Sequence, residues 1–167
     1  MCWLSDLLKP KPIEPPTLEA YDNYVRQQVG TVPILWIKFQ ELKVNLAELG
    51  LECRMRDDYQ PDTWVAYTNE ESWAKIIPFL TYSASYYVAE GADCDDYARW
   101  AAVDASRIFK LNGCLEGWGL MPQGGHAWGL VMTSPKGYKL FEPNAGFEYA
   151  GELFANKDNE YNTKSWE

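Results

Sequence analysis

Asp93-Cys94-Asp95-Asp96-Tyr97-Ala98 sets a cysteine among acidic residues at the point where a helix should begin. An Ala-rich pattern runs from Ala92 to Lys110 with Gly91 ahead of it, which predicts a helix with Cys94 in its first turn. Backbone N–H groups there lack intrahelical partners and the helix dipole favours negative charge, so a thiolate is easier to form there than in mid-helix. The carboxylates of Asp93, Asp95 and Asp96 oppose that charge. A working nucleophile at Cys94 therefore needs a cation beside it, either an imidazolium or a bound metal ion. His126, the single histidine, stands in Gly124-Gly125-His126-Ala127-Trp128, and Leu140-Phe141-Glu142-Pro143-Asn144 follows after a short turn. Cysteine on a helix, histidine on a later strand and a carboxylate or amide on the next strand is an order suited to nucleophilic catalysis. By type alone a free cysteine is a small buried hydrophobe and an acidic first turn is common, so the weight rests on Cys94 and His126 together.

The remaining composition narrows the setting. A chain of 167 residues suits one domain, taken as residues 17–167, preceded by an appendage and proline-rich arm over residues 1–16. Lys+Arg 15 against Asp+Glu 24 gives a net charge of -9, which repels nucleic acid and anionic membranes, and no basic run offsets it. No apolar stretch is long enough to span a bilayer, and the N-terminus shows neither a basic leader nor an apolar run of signal length, so the expected location is cytoplasmic. Cys2, Cys53, Cys94 and Cys114 have no CxxC spacing, which fits a reducing compartment better than a zinc knuckle or a disulfide scaffold.

Helical spacing predicts helices over about 18–29, capped by Thr17, and over 36–49, with Leu42, Leu46 and Leu49 on one face and Gly50 as the stop. Another opens at Asn69-Glu70-Glu71-Ser72 and runs toward Pro78. Strands of about 126–133 and 138–142 should pair across Ser134-Pro135-Lys136-Gly137-Tyr138, with a three-residue loop ending in a left-handed Gly137. That register sets Leu130 opposite Glu142 and Trp128 opposite Asn144, all on the face of His126, leaving Asn144 nearer the histidine. A bulge or a slip by two residues reverses the preference toward Glu142, so the third member stays open between Glu142 and Asn144. The two glycines before His126 should admit a close backbone, and Trp128 should wall the site from water. Trp64, Trp73, Tyr82, Tyr86, Tyr87, Trp100 and Trp118 are expected mostly in the core, and the tail from Asn156 at the periphery.

Asp-Cys-Asp-Asp, Gly-His-Ala-Trp and Phe-Glu-Pro-Asn together resemble the C-terminal cysteine-protease domain of mushroom chimerolectins (Marasmius oreades agglutinin-like), over about residues 64–155. The resemblance implies an α+β, papain/transglutaminase-like fold, with N-terminal helices, the nucleophile helix among them, packed on an antiparallel sheet carrying the histidine and glutamate. It implies a Cys94, His126, Glu142 triad that hydrolyses peptide or amide bonds of a protein or peptide substrate, activated by calcium or manganese held by Asp95, Asp96 and Asn144. Transglutaminases would place aspartate where Glu142 stands. The β-trefoil lectin half of those proteins has no counterpart here, so sugar binding does not carry over. Small copies like this one also look similar to phage-borne proteins. Two other functions share the pattern: transglutaminase-type acyl transfer, and a catalytically idle metal- or protein-binding module.

Overall fold

The structure, a computed structural model, describes residues 17–55, 62–156 and 160–167. The arm over residues 1–16 and most of the polar loop between Arg54 and Thr63 lie outside the described residues. Helix α1 is Leu18–Val29, started by the Thr17 hydroxyl accepting the Ala20 N–H at 3.2 Å. It buries Val25 and Val29, and its one buried carboxylate, Asp22, is paired with Arg107.

The helix expected over 36–49 begins later than its spacing implied. Leu35–Lys38 is strand β1, and helix α2 is Phe39–Glu48. Residues 35–38 are extended because they pair antiparallel with β3, Trp64–Tyr67, from Leu35 opposite Tyr67 to Lys38 opposite Trp64. Such a partner, far along the chain, leaves no trace in helical periodicity. Gly50 does supply the stop, at φ +83. Leu42 and Leu46 are buried, but Leu49 lies past the last turn and is 46% exposed.

Helix α3, Glu70–Ile76, is capped by the Asn69 side chain accepting the Ser72 N–H and tightens into a 3-10 turn over Ile77–Leu80. Helix α4, Cys94–Asp104, continues as a π-type turn over Ala105–Phe109. The main sheet contains β2 (Glu52–Cys53), β4 (Cys114–Met121), β5 (Gly124–Ser134), β6 (Gly137–Phe141) and β7 (Asn162–Trp166), in the order β2-β7-β4-β5-β6. Every pairing is antiparallel except β2 with β7. Helix α4 lies against β4 and β5, which brings the helix that starts at Cys94 against the strand that carries His126. The architecture is mixed α+β. Among the described residues no helix is long and apolar enough to cross a membrane.

One core cluster joins Val25, Trp73, Ile76, Ala101, Val131 and Phe141, and a second joins Leu42, Leu46, Trp128, Leu130, Leu140 and Trp166. The aromatic residues divide more evenly than expected: Trp73 is fully buried, whereas Trp64, Tyr86 and Tyr87 are exposed. The tail also differs from its reading as peripheral. Strand β7 lies between β2 and β4, and Trp166 is fully buried in the second cluster. Its indole N–H has no hydrogen-bond partner among the described residues. Trp166→Phe would shed that unpaired donor, worth roughly 1–3 kcal/mol, and lose packing of about the same size. The urea midpoint of this variant should therefore lie within about 1 kcal/mol of the parent. A loss near that of a full large-to-small truncation, roughly 3–5 kcal/mol, would show that the indole N–H is satisfied.

Candidate active site

The approach to α4 is a closed turn. Val88 and Ala92 exchange backbone hydrogen bonds at 3.0 and 2.7 Å, and Glu90 inside the turn has φ +62. Asp93 then caps α4, and its own N–H donates to the Asp96 carboxylate at 3.3 Å, so Cys94 is the first helical residue. One turn on, Arg99 pairs with Asp95 at 2.7 Å and reaches Glu116 on β4 at 2.8 Å. Part of the negative charge that the sequence sets around Cys94 is thus matched by a guanidinium on the same helix. Burial holds the Glu116 carboxyl up at about 7, against the pull of Arg99. Trp118 donates its indole N–H to Glu116 at 3.2 Å, so it is not free to serve an oxyanion.

His126 lies on β5, 8% exposed. Gly124 takes φ +134 at the turn entering this strand, but a Cβ on Gly124 or Gly125 would meet nothing within 4 Å. The glycines leave open space beside the histidine and do not admit a second backbone as expected. The His126 ring stacks on Phe147, centroids 4.7 Å apart, and tilts against buried Trp128 at 5.8 Å.

Glu142, one residue beyond β6, meets His126: Nε2 to Oε2 is 3.0 Å. The register explains why. The hairpin loop is two residues, with Ser134 opposite Gly137, and a bulge follows before Met132 pairs with Tyr138 and Leu130 with Leu140. Gly137 begins the strand and its φ is not positive, contrary to the three-residue loop with a left-handed glycine. Shorter loop and bulge together shift β6 by two residues, which carries Glu142 from the level of Leu130 to that of Trp128, next to His126. Asn144, which the same register would carry opposite His126, is instead turned into its own loop because β6 ends at Phe141. The Glu142 carboxylate also accepts the Asn144 N–H at 3.0 Å and the Tyr161 hydroxyl at 3.4 Å. Asn144 is buried and its side-chain oxygen accepts the Gly146 N–H at 2.9 Å, so it folds its own loop.

Cys94 and the imidazole line the same cleft, and Cys94 is among the groups that act on the imidazole's titration. With Nε2 committed to the carboxylate, Nδ1 is the nitrogen left for the thiol. Burial works to lower the imidazole pKa, but the hydrogen bonds and charges of Cys94 and Glu142 outweigh it and carry the pKa to about 9. Cys94 and Glu142 thus both act on the one imidazole.

The acidic residues gather differently from the Asp95, Asp96, Asn144 set. Asp96 is engaged at the helix cap, and Asn144 within its turn. Asp93 and Asp95 each bring a carboxylate oxygen to Cys94 Sγ, all within 4.8 Å of one another. The interaction between these two carboxyls raises the pKa of Asp93 and lowers that of Asp95, where Arg99 also pulls it down. Sequence reasoning missed Arg99, Glu116, Phe147, Tyr161 and Lys164. The Asp95 to Arg99 spacing of four residues was a readable signal for the first; the last two stand in the tail.

Cys94 and His126 open onto a cleft of about 460 Å³ that is also lined by Trp118, Leu120, Gly125 and Lys164. No protein-family model matches this chain, and no curated protein matches it. Solved structures do. One, the PSL1a-E64 complex, superposes with a TM-score of 0.53 and 20% identity over 79% of this chain, which spans about half (51%) of that chain's length. At that identity the likeness is one of fold.

Proposed function

We propose that this chain is a thiol-dependent hydrolase of peptide or amide bonds with a papain/transglutaminase-like arrangement. Cys94 is the nucleophile, His126 the general base, and Glu142 the group that orients and charges the imidazole. The observation that carries this reading is the buried imidazole hydrogen-bonded to Glu142 and sharing a cleft with Cys94, with the cysteine at a helix start. The fold likeness supports it, because E64 is a cysteine-protease inhibitor. The Asp93–Asp96, Gly125–Trp128 and Phe141–Asn144 motifs support kinship with the chimerolectin protease domains. Free Cys53, Cys94 and Cys114 suit a reducing compartment such as the cytoplasm.

Near neutral pH the imidazole already holds the proton on Nδ1, as its pKa of about 9 requires, and the sulfur beside this imidazolium attacks the substrate carbonyl as a thiolate. The carbonyl oxygen gains negative charge beside the Cys94 backbone N–H, one of the unpaired donors of the first turn. As the C–N bond breaks, the proton on Nδ1 passes to the leaving amine, and a thioester links the acyl group to Cys94. Water, deprotonated by His126, attacks that thioester and releases the acid and the thiol. Glu142, 1% exposed, keeps Nε2–H engaged throughout, so the ring presents the same nitrogen in both half-reactions.

Asp93 and Asp95, whose carboxylate oxygens gather beside Cys94 Sγ, are the donors that would hold a calcium or manganese ion, in place of Asp96 and Asn144. A cation there would cancel negative charge next to the sulfur.

Incubation with E64, followed by mass mapping, tests the function. The adduct should sit on Cys94 and form roughly a hundredfold faster than on Cys53 or Cys114, the lower end of general-base assistance. Equal labelling of the three cysteines would overturn the reading. Repeating the reaction with calcium, manganese or a chelator tests the cation separately: a rate indifferent to all three removes it while leaving the nucleophile in place.

A further inference from the structure

The cleft beside Cys94 is built asymmetrically, and the asymmetry concerns charge. The protein has a net charge of -9 and acidic residues flank the nucleophile along α4, yet no carboxylate lines the cleft itself. Besides the His126 imidazole, its charged rim residue is Lys164, for which no carboxylate partner occurs among the described residues. Lys164 is there because of a defect in the sheet. Trp118 pairs with Ser165 and Gly119 with Thr163, so Lys164 is the extra residue of a bulge in β7. A bulge re-aims one side chain against the strand's alternation, and such irregularities concentrate beside functional sites. Gly119 permits it: a Cβ there would stand 2.0 Å from the Asn162 carbonyl oxygen.

The wall opposite solvent is rigid and apolar. Trp118 is held at its indole N–H by Glu116, at 3.2 Å, and its ring face is covered by the Arg54 guanidinium, 4.1 Å from the centroid. Leu120 adds exposed apolar surface. A fixed aromatic wall, small glycines and a bulge-presented ammonium form a pocket that matches an aliphatic stem ending in an anion.

From this geometry, and resting on the hydrolase reading of the same site, we propose that the cleft formed by Trp118, Leu120 and Lys164 selects a carboxylate-bearing residue of the substrate next to the scissile bond. Lys164 is the specificity-determining residue. The carboxylate belongs either to a glutamate or aspartate side chain or to the substrate's own C-terminus; both present the same anion to the ammonium.

The test separates charge selection from nucleophile reactivity. Cys94 is alkylated with iodoacetate and, separately, with iodoacetamide, in the parent, Lys164→Met and Lys164→Glu proteins, and the ratio of the two rates is taken. The ratio cancels any common change in thiol reactivity. It should fall about threefold in Lys164→Met and about tenfold in Lys164→Glu, as expected when one exposed charge pairing is removed or reversed. A ratio equal in all three proteins, with Cys94 reacting faster than Cys53, overturns the pocket and leaves the hydrolase standing. A Cys94 no faster than Cys53 with either reagent sinks the hydrolase and the substrate assignment together. Peptide pools differing only in Glu against Gln, each as free acid and as C-terminal amide, then identify the source. Preference for Glu assigns a side chain, preference for the free acid assigns the C-terminus, and preference for neither overturns the proposal.

Discussion

His126→Ala should slow the reaction of Cys94 with E64, and any peptide hydrolysis, by about 10²–10⁴-fold, the usual contribution of a positioned general base. The size of the effect follows from the geometry around the sulfur. Asp93 and Asp95 bring carboxylate oxygens to within 4.8 Å of Cys94 Sγ, and Arg99 answers one of them at 2.7 Å. The imidazole that shares the cleft with the sulfur has a pKa of about 9, which keeps it protonated at neutral pH. Without it, alkylation of Cys94 by iodoacetamide should climb only as alkali removes the thiol proton, whereas the parent should already react near neutrality. Glu142 would still accept the Asn144 N–H and the Tyr161 hydroxyl, so tryptophan fluorescence should report a folded variant. A folded His126→Ala protein whose pH profile of alkylation matches the parent would mean that the imidazole does not act on Cys94.

The parts of this site that were legible in sequence are those set by local rules. An Asp-rich start to an Ala-rich run specifies the α4 cap, and a lone histidine inside an alternating stretch specifies a strand position; both depend on residues within one turn or one pleat of each other. The third member was not legible for a physical reason. The identity of the residue opposite a given strand position depends on the turn length and on every irregularity between, and a loop one residue shorter than expected, a bulge near Met132 and the end of β6 at Phe141 together decided which of Glu142 and Asn144 meets the histidine. Strand β7 was missed because Asn162-Thr163-Lys164-Ser165-Trp166 has polar residues at four of its five positions, and its place between β2 and β4 is fixed by Trp166 and by partners distant in sequence. The N-terminal strand β1 failed in the same way, its partner β3 lying across the loop from Arg54 to Thr63. Local chemistry announced Cys94 and His126; the meeting of Glu142 with His126, and the place of Lys164 at the cleft, depend on irregularities of the strands.

Glu142→Ala should cost about 3–5 kcal/mol of stability near neutral pH, the penalty for removing one partner of a buried ion pair and stranding the other. Here the stranded group is an imidazolium, and the Asn144 N–H and Tyr161 hydroxyl lose an acceptor as well. The pH dependence gives the sharper test. The imidazole of His126 binds its proton more tightly folded, with a pKa of about 9, than at its ordinary value of 6.5. Folding is therefore helped by protonation: the contribution is complete below pH 6.5 and is lost as pH rises through 9, and across that window it amounts to about 3 kcal/mol. Urea midpoints of the parent should fall between pH 6.5 and 9. Glu142→Gln keeps the volume and an acceptor for the Asn144 N–H but removes the charge, so its midpoints should fall much less over the same range. A parent whose stability is flat from pH 6.5 to 9 would show that Glu142 and Cys94 do not hold His126 as a cation. In that event Glu142 could still fix the ring's orientation, but the sulfur would have to find its counter-charge elsewhere, and Arg99 and a cation at Asp93 and Asp95 would be the groups left to supply it.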